Sequence, residues 1–385
     1  MRRVTRLALG AGAVLGLAAW TAPVAGAEAA PTWAHGAEGG HDAVFVQSDN
    51  ITGNTVVAYG RGHDGTLTPA GAYSTGGLGG ALNGSVADHL GSQGSLASDP
   101  AHALLYAVNA GSNTVSVFTV DGSALHLRQI VDSGGTFPVS IAVHGDLVYV
   151  LNAFDGGSVS GFRVVDGELH HLSDSTRGLG LTIPTDTSQF THTPGQVAFS
   201  PDGSQLLVTT KANAVANAVD VFGVGPDGRP SSAPVVNSEP GTVPFAVSFD
   251  ESGHLVVGEV GPDALVTYRL HHDGTITQLD LVASGQPGLC WVAPAGEFFF
   301  TGNSGSNTTS GYQSGAQGQL TLLGATSTDP GTVDASATAN GQFLYVQTGG
   351  KGIVDEFHVH TNGSLTALGS VTVPGAVGGE GIVAF

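Results

Sequence analysis

Glycine takes 60 of the 385 positions, and charged residues make up only 11% of the chain, against about a quarter in an ordinary soluble domain. That balance is wrong for helices, because Gly is a poor helix former, and it predicts an all-β chain with many tight turns. With 31 acidic residues against 11 basic ones and a formal net charge of −20, the surface repels phosphate backbones and anionic lipid, so neither nucleic acid nor membrane is expected as a partner.

The chain opens on Arg2, Arg3 and Arg6, an apolar run from Leu7 to Trp20, and small residues at Ala25-Gly26-Ala27. This is the layout of a signal peptide over 1–27, too short in its apolar part to span a bilayer comfortably. Val4-Thr5 stands where a twin-arginine signal prefers an aromatic and a Leu, which favours the Sec route. The lone cysteine, Cys290, lies far from the cleavage site and permits neither a lipid anchor nor an intramolecular disulfide. A secreted, disulfide-free monomer is expected, with a flexible linker over 28–41 and a single folded body over 42–385.

From Ala43 onward the sequence repeats. Leu104–Ala110 and Thr114–Val120 are two β-branched, apolar runs around Gly111-Ser112-Asn113, followed by the turn Asp121-Gly122. The glycine of that turn recurs at Gly65, Gly122, Gly167, Gly228, Gly274, Gly318 and Gly363, always after Asp, Asn or Gln, at intervals of 44 to 61 residues. Propeller blades run at roughly 40–45 residues. The two longest intervals therefore carry insertions, placed at Gly79–Gly94 and Leu179–Thr193. One period reads as four strands, Gly195–Ser200, Gln205–Thr210, Ala218–Val224 and Arg229–Val236. The next reads as Phe245–Phe249, Leu255–Val260, Ala264–Leu270 and Thr275–Ala283. The folded body starts on a second strand, Ala43–Val46, and finishes on an orphan first strand, Gly381–Phe385. Joining them completes a seventh blade and removes two sheet edges. The expected fold is a seven-bladed β-propeller of four antiparallel strands per blade, its ring closed by the terminal strands.

Units such as Leu105-Tyr106-Ala107-Val108-Asn109-Ala110-Gly111-Ser112-Asn113 and Pro201-Asp202-Gly203-Ser204-Gln205-Leu206-Leu207-Val208 resemble the lactonase family of seven-bladed propellers, over the whole chain from about Asp42. That family includes propeller-type 6-phosphogluconolactonases and carboxymuconate lactonizing enzymes. The resemblance implies a site at one mouth of the channel built from a His, two Arg and a Glu. The family's Gly-Pro-Arg-His stretch falls here on Val243-Pro244-Phe245-Ala246, without its basic pair. Its Asn-Glu-Leu falls on Gly258-Glu259-Val260, which keeps the Glu. Its other His falls near Gly195-Gln196, with His192 just upstream, and its last Arg near Asn303-Ser304 is missing. Lys211 matches a lysine of the phosphogluconolactonases.

Two readings follow. In the first, the chain is a lactonase-like propeller that has lost most of the family's catalytic His and Arg residues. It binds a lactone or sugar-like small molecule, or a protein partner, in a polar funnel. In the second it remains an active lactone hydrolase or lactonizing cyclase, with Glu259 and Lys211 as acid and base. The plainer reading of those two charges is a structural ion pair. His192, Gln196, Asn152, Trp291 and Asn303 complete the candidate binding set, although Asn152 and Asn303 recur at one place in their blades and could simply hold loop backbone. The histidine pairs His170-His171, His271-His272 and His358-x-His360 flank outer turns with no carboxylate or Cys to complete a ligand set. No metal or other cofactor is expected. Cys290 reads as a small buried apolar residue, not a nucleophile.

Overall fold

Seven antiparallel sheets of four strands each, the outer strand of one split into Glu168–His171 and Arg177–Gly178, make up the computed structural model, which describes residues 42–211 and 217–385. The signal peptide and linker read from residues 1–41 lie outside the described residues. Numbering the sheets along the chain as blades 1–7, the innermost strands are Ile382–Ala384, Leu96–Asp99, Pro138–His144, Pro194–Phe199, Pro244–Phe249, Leu289–Ala295 and Thr332–Ala337. Each innermost strand neighbours the next around the axis, and Ile382–Ala384 sits between those of blades 7 and 2. Blade 1 is composite. Its second strand, Ala43–Gln47, pairs with Ile382–Ala384 in the register Val44–Ala384, Phe45–Val383 and Val46–Ile382.

The turn glycines are the reason the strands reverse where they do. All seven have φ between +58° and +85°, a region in which a Cβ is strained. In four of them the preceding side chain (Asp64, Asp227, Asp273 or Asn362) also accepts the N–H two residues on.

The apolar clusters form between blades. Val44, Val46 and Tyr59 of blade 1 pack on Phe343, Tyr345 and Val354 of blade 7, while Phe45 and Val56 on the other face meet Leu105 and Phe118 of blade 2. No blade buries its faces alone, so the ring forms as a unit. Tyrosines fasten the seams: Tyr149 Oη donates to the Gly228 carbonyl of blade 4 (2.7 Å), and Tyr345 Oη to the Gly65 carbonyl of blade 1 (2.8 Å).

One strand departs from its expected place. The outer strand of blade 4 is Val235–Ser238, not Arg229–Val236. Pro230 and Pro234 lack the N–H a ladder needs, and only an isolated Val224–Pro230 bridge survives there.

Candidate functional site: a mouth filled by the chain itself

The loops after the second and fourth strands share one face, and both insertions lie there. On this side five innermost strands carry a β-bulge, at Val139, Gly195-Gln196, Phe245, Cys290-Trp291 and Val333-Asp334. A bulge bends its strand and re-aims the extra residue. Five blades thus turn a side chain or a free carbonyl toward the central mouth.

The first insertion occupies that mouth. Leu82, Leu90 and Ser92 are fully buried, and the segment is hydrogen-bonded to blades 3, 4 and 6 and to Glu380 beside the inner strand of blade 1. Ser92 Oγ donates to the Val139 carbonyl (2.9 Å) and Gln93 N to the Gly195 carbonyl (3.1 Å). Trp291 Nε1 donates to the Ser92 carbonyl (2.8 Å). The Gln93 amide pairs both ways with the Val292 backbone, at 2.8 and 2.9 Å. Gly94 N reaches Glu380 Oε1 (2.8 Å), and the Gly94 carbonyl accepts from Ile141 N (2.8 Å). The second insertion holds the first in place. Asn83 N donates to Gln189 Oε1 (2.9 Å), and Asn83 Nδ2 to the Thr185 carbonyl (2.9 Å).

Buried charges lie at the foot of this plug. Asp88 caps its own turn, accepting from Leu90, Gly91 and Ser92 N at 2.8–3.0 Å. Lys211 donates to the Gly91 carbonyl and sits 4.9 Å from the centre of the Phe245 ring. Asp49, Asp334 and Glu380 complete the group. Burial pushes Asp49 and Asp334 up to about 7. It pushes Asp88 to about 6, with Lys211 opposing the rise. Glu380 is raised well above its ordinary value by burial and by the neighbouring Asp334, Asp88 and Asp49. Burial lowers Lys211 to about 8, against the pull of Asp88. Four carboxyls thus share one amine in a water-poor site, and they cannot all be ionised there at once.

The candidate residues separate into groups. Lys211 and Trp291 hold the plug. Gln196 accepts from Val247 N (2.6 Å) and so joins blade 4 to blade 5. His192 Nδ1 lies 2.9 Å from the Ser188 carbonyl, within the second insertion. Asn303 Nδ2 spans its own hairpin to Thr308 and Ser310 Oγ, and Asn152 Nδ2 reaches the Ser133 carbonyl (3.4 Å). Glu259 is not paired with Lys211. Its Oε1 accepts from Tyr268 Oη, and its buried Oε2 has no partner among the described residues. Burial raises Glu259 to about 7. Cys290 is buried, with its thiol pushed up to about 12 by burial.

Sequence reasoning missed Asp49, Asp88, Gln93, Asp334 and Glu380. Asp334 had a signal: a carboxylate inside an inner strand seldom stands without a role. Clefts open to solvent lie on other parts of the surface. One of 390 Å³ on the opposite face is lined by Asp250, Glu251, Glu297 and Gln319.

The seven-bladed propeller fold is shared with several solved structures. A Bacteroides uniformis protein provisionally named a 6-phosphogluconolactonase superposes with a TM-score of 0.73 at 18% identity, covering 89% of this chain and 99% of that one. The periplasmic gluconolactonase of Pseudomonas aeruginosa gives 0.66 at 18% identity, over 89% and 98%. A Lactobacillus plantarum protein gives 0.71 at 20%, over 89% and 99%. No family model matches the sequence, and no curated protein matches it. No helix among the described residues is long and apolar enough to cross a membrane.

Proposed function

We propose that this is an exported propeller of lactonase fold that works by binding and not by lactone hydrolysis. One observation carries the reading: Lys211 and Trp291, the two candidate residues that meet the first insertion, spend their donors on Gly91 and Ser92 of that insertion. A small lactone has no access to them while that segment is in place. The basic residues that the family resemblance calls for are also absent from Phe245-Ala246 and from Asn303-Ser304.

A second reading has an observation of its own. Glu259 is a buried carboxyl with one free oxygen and a value near 7, which is where a general acid or base works best at neutral pH. In that reading the protein is a lactonase whose base is Glu259 without Lys211.

One experiment separates the two. Protein recovered from culture medium, with an intact mass that places its start between Glu28 and Pro31, is tested against a panel of gluconic, γ- and δ-lactones at pH 6 and at pH 8, each against its own buffer rate. The binding reading expects rates equal to buffer. Turnover that Glu259→Gln abolishes would establish the second reading and overturn the first.

A further inference from the structure

A plug held by scattered hydrogen bonds to several blades differs from a strand held by a ladder, because it can leave without any blade unfolding. Its crest is already in water: Val86 is 82% exposed, while six residues further on Ser92 is fully buried. The plug and the strand ends around it are poorly satisfied. Gln47 Oε1, Gln347 Oε1 and His89 Nδ1 are buried without partners among the described residues. Gln347 Nε2 is spent on the Gln47 carbonyl (3.2 Å), and Gln47 Nε2 on Asp49 and the Val108 carbonyl. Each such orphan oxygen costs on the order of 1–3 kcal/mol, which water would return if it could enter.

The same floor carries the carboxyls. Asp88 belongs to the plug itself, Glu380 accepts its Gly94 and Ser95 N–H groups, and Asp49 accepts the Glu380 N–H (2.8 Å). Asp334 comes from the inner strand of blade 7. The other titratable groups facing this cluster are Lys211 from blade 4, Cys290 from blade 6, Asp263 acting on Cys290, and the plug's own His89. Among the described residues only Lys211 offers a positive charge to the four carboxyls, since burial holds His89 toward its neutral form.

We propose that residues 79–94 form an acid-held lid: while the carboxyls beneath it keep their protons it seals the mouth, and as they ionise it lifts and opens the channel to water and to ligand. The direction follows from linkage. A carboxyl that is harder to ionise under the closed lid favours closure at low pH. That preference fades as pH rises through its closed-state value. The values near 6 and 7 for Asp88, Asp49 and Asp334 place the transition around neutrality. Lys211, at about 8, keeps its positive charge through most of that range; because burial lowers it under the closed lid, its own titration above 8 favours closure and offsets part of the carboxyl effect. The inference stands whether the open mouth binds or hydrolyses.

Hydrogen exchange on the mature protein at pH 6 and pH 8.5, corrected for intrinsic exchange, tests this. Amides of residues 88–95 should lose about tenfold or more of their protection at pH 8.5, which is one proton's worth of linkage over one pH unit. The strands Gln205–Thr210 and Phe298–Asn303 should lose severalfold less, only what the fall in overall stability through pH 7 takes from them. Asp334→Asn, which keeps the shape and removes one ionisation, should shrink the change in residues 88–95 severalfold. Equal protection at the two pH values would overturn the proposal. A parallel loss in lid and strands would do the same, because the cluster would then tune only global stability. An undiminished pH effect in Asp334→Asn would remove the carboxyls as its cause.

Discussion

Deleting Gly381–Phe385 tests whether the ring is closed by its termini, and the structure gives the size of the effect. The segment supplies the three register pairs with Val44, Phe45 and Val46. It also supplies Gln47 N to the Gly381 carbonyl (2.8 Å), Phe385 N to the Ala43 carbonyl (2.9 Å) and Ala384 N to Ser336 Oγ (3.0 Å). At about 1 kcal/mol for each hydrogen bond and about 2 kcal/mol each for burying Ile382 and packing Phe385 edge-on to Phe45, the loss is about 7 kcal/mol. That lies within the whole stability of an ordinary domain, about 5–15 kcal/mol. The truncated chain should therefore lose its cooperative melt and aggregate through the bared edges of Ala43–Gln47 and its neighbours. Ile382→Ala is the graded version. At about 3 kcal/mol for the lost side chain and an unfolding entropy of about 0.7 kcal/mol per kelvin for a folded body of this length, its Tm should drop by about 4 °C. Scanning calorimetry with size-exclusion chromatography reads both. A truncated protein that stays monomeric and melts within a degree or two of the parent would refute closure by these strands.

Two further outcomes follow from the mouth. Asp49, Asp334 and Glu259 are all raised to about 7 by burial, so their contribution to stability is full below the ordinary carboxyl range near 4 and is lost as pH climbs through 7. Tm should be several degrees higher at pH 6 than at pH 8, and a flat or opposite profile by circular dichroism would contradict these values. A Cβ at Gly349 would stand 1.7 Å from the Ala87 carbonyl of the plug, so Gly349→Ala must displace the plug or the loop after Thr348. In a Trp33→Phe background, which leaves Trp291 as the only tryptophan of the mature chain, emission should shift to the red as the bond to Ser92 is lost. An unchanged spectrum would show that the plug tolerates the displacement.

The blades were legible because their grammar is local. An Asp-Gly or Asn-Gly turn needs only its own residues to reverse the chain, and six of them with one Gln-Gly, at intervals of 44 to 61 residues, count the blades. The broken unit at each end, Ala43–Val46 and Gly381–Phe385, revealed the closure without any knowledge of packing. Local grammar failed where two prolines, Pro230 and Pro234, interrupted an outer strand whose composition otherwise read as β. The mouth obeys no local rule. Most inner strands are buried residue after residue at their mouth ends and show no clean alternation there, so the bulges at Gly195-Gln196, Cys290-Trp291 and Val333-Asp334 leave no mark in the pattern. The insertion at Gly79–Gly94 could be found by length, but a long loop is ordinarily an outward one. That it turns inward depends on carbonyls and N–H groups at Val139, Ile141, Gly195 and Val292, contributed by three other blades.

The plug changes what any ligand of this mouth must do. Trp291 Nε1, Lys211 Nζ and both backbone groups of Val292 are already satisfied by Ser92, Gly91 and Gln93. A ligand that replaces the plug exchanges one set of hydrogen bonds for another and gains little from the exchange itself. Its apparent affinity is its intrinsic affinity scaled by the fraction of molecules whose lid is open. A purely structural seal would be built more stably from apolar residues, as Leu82 and Leu90 already are at its edges, because buried carboxyls are costly and well-packed hydrophobic replacements are often neutral or better. The charged floor therefore weakens the seal in a pH-dependent way. Binding that tightens as pH rises from 6 to 8.5 in the parent protein, and is tight and nearly pH-independent in Gly349→Ala, would trace that weakness to the lid equilibrium. Tight binding to the parent at pH 6 would mean that ligands enter by a route that leaves the plug in place.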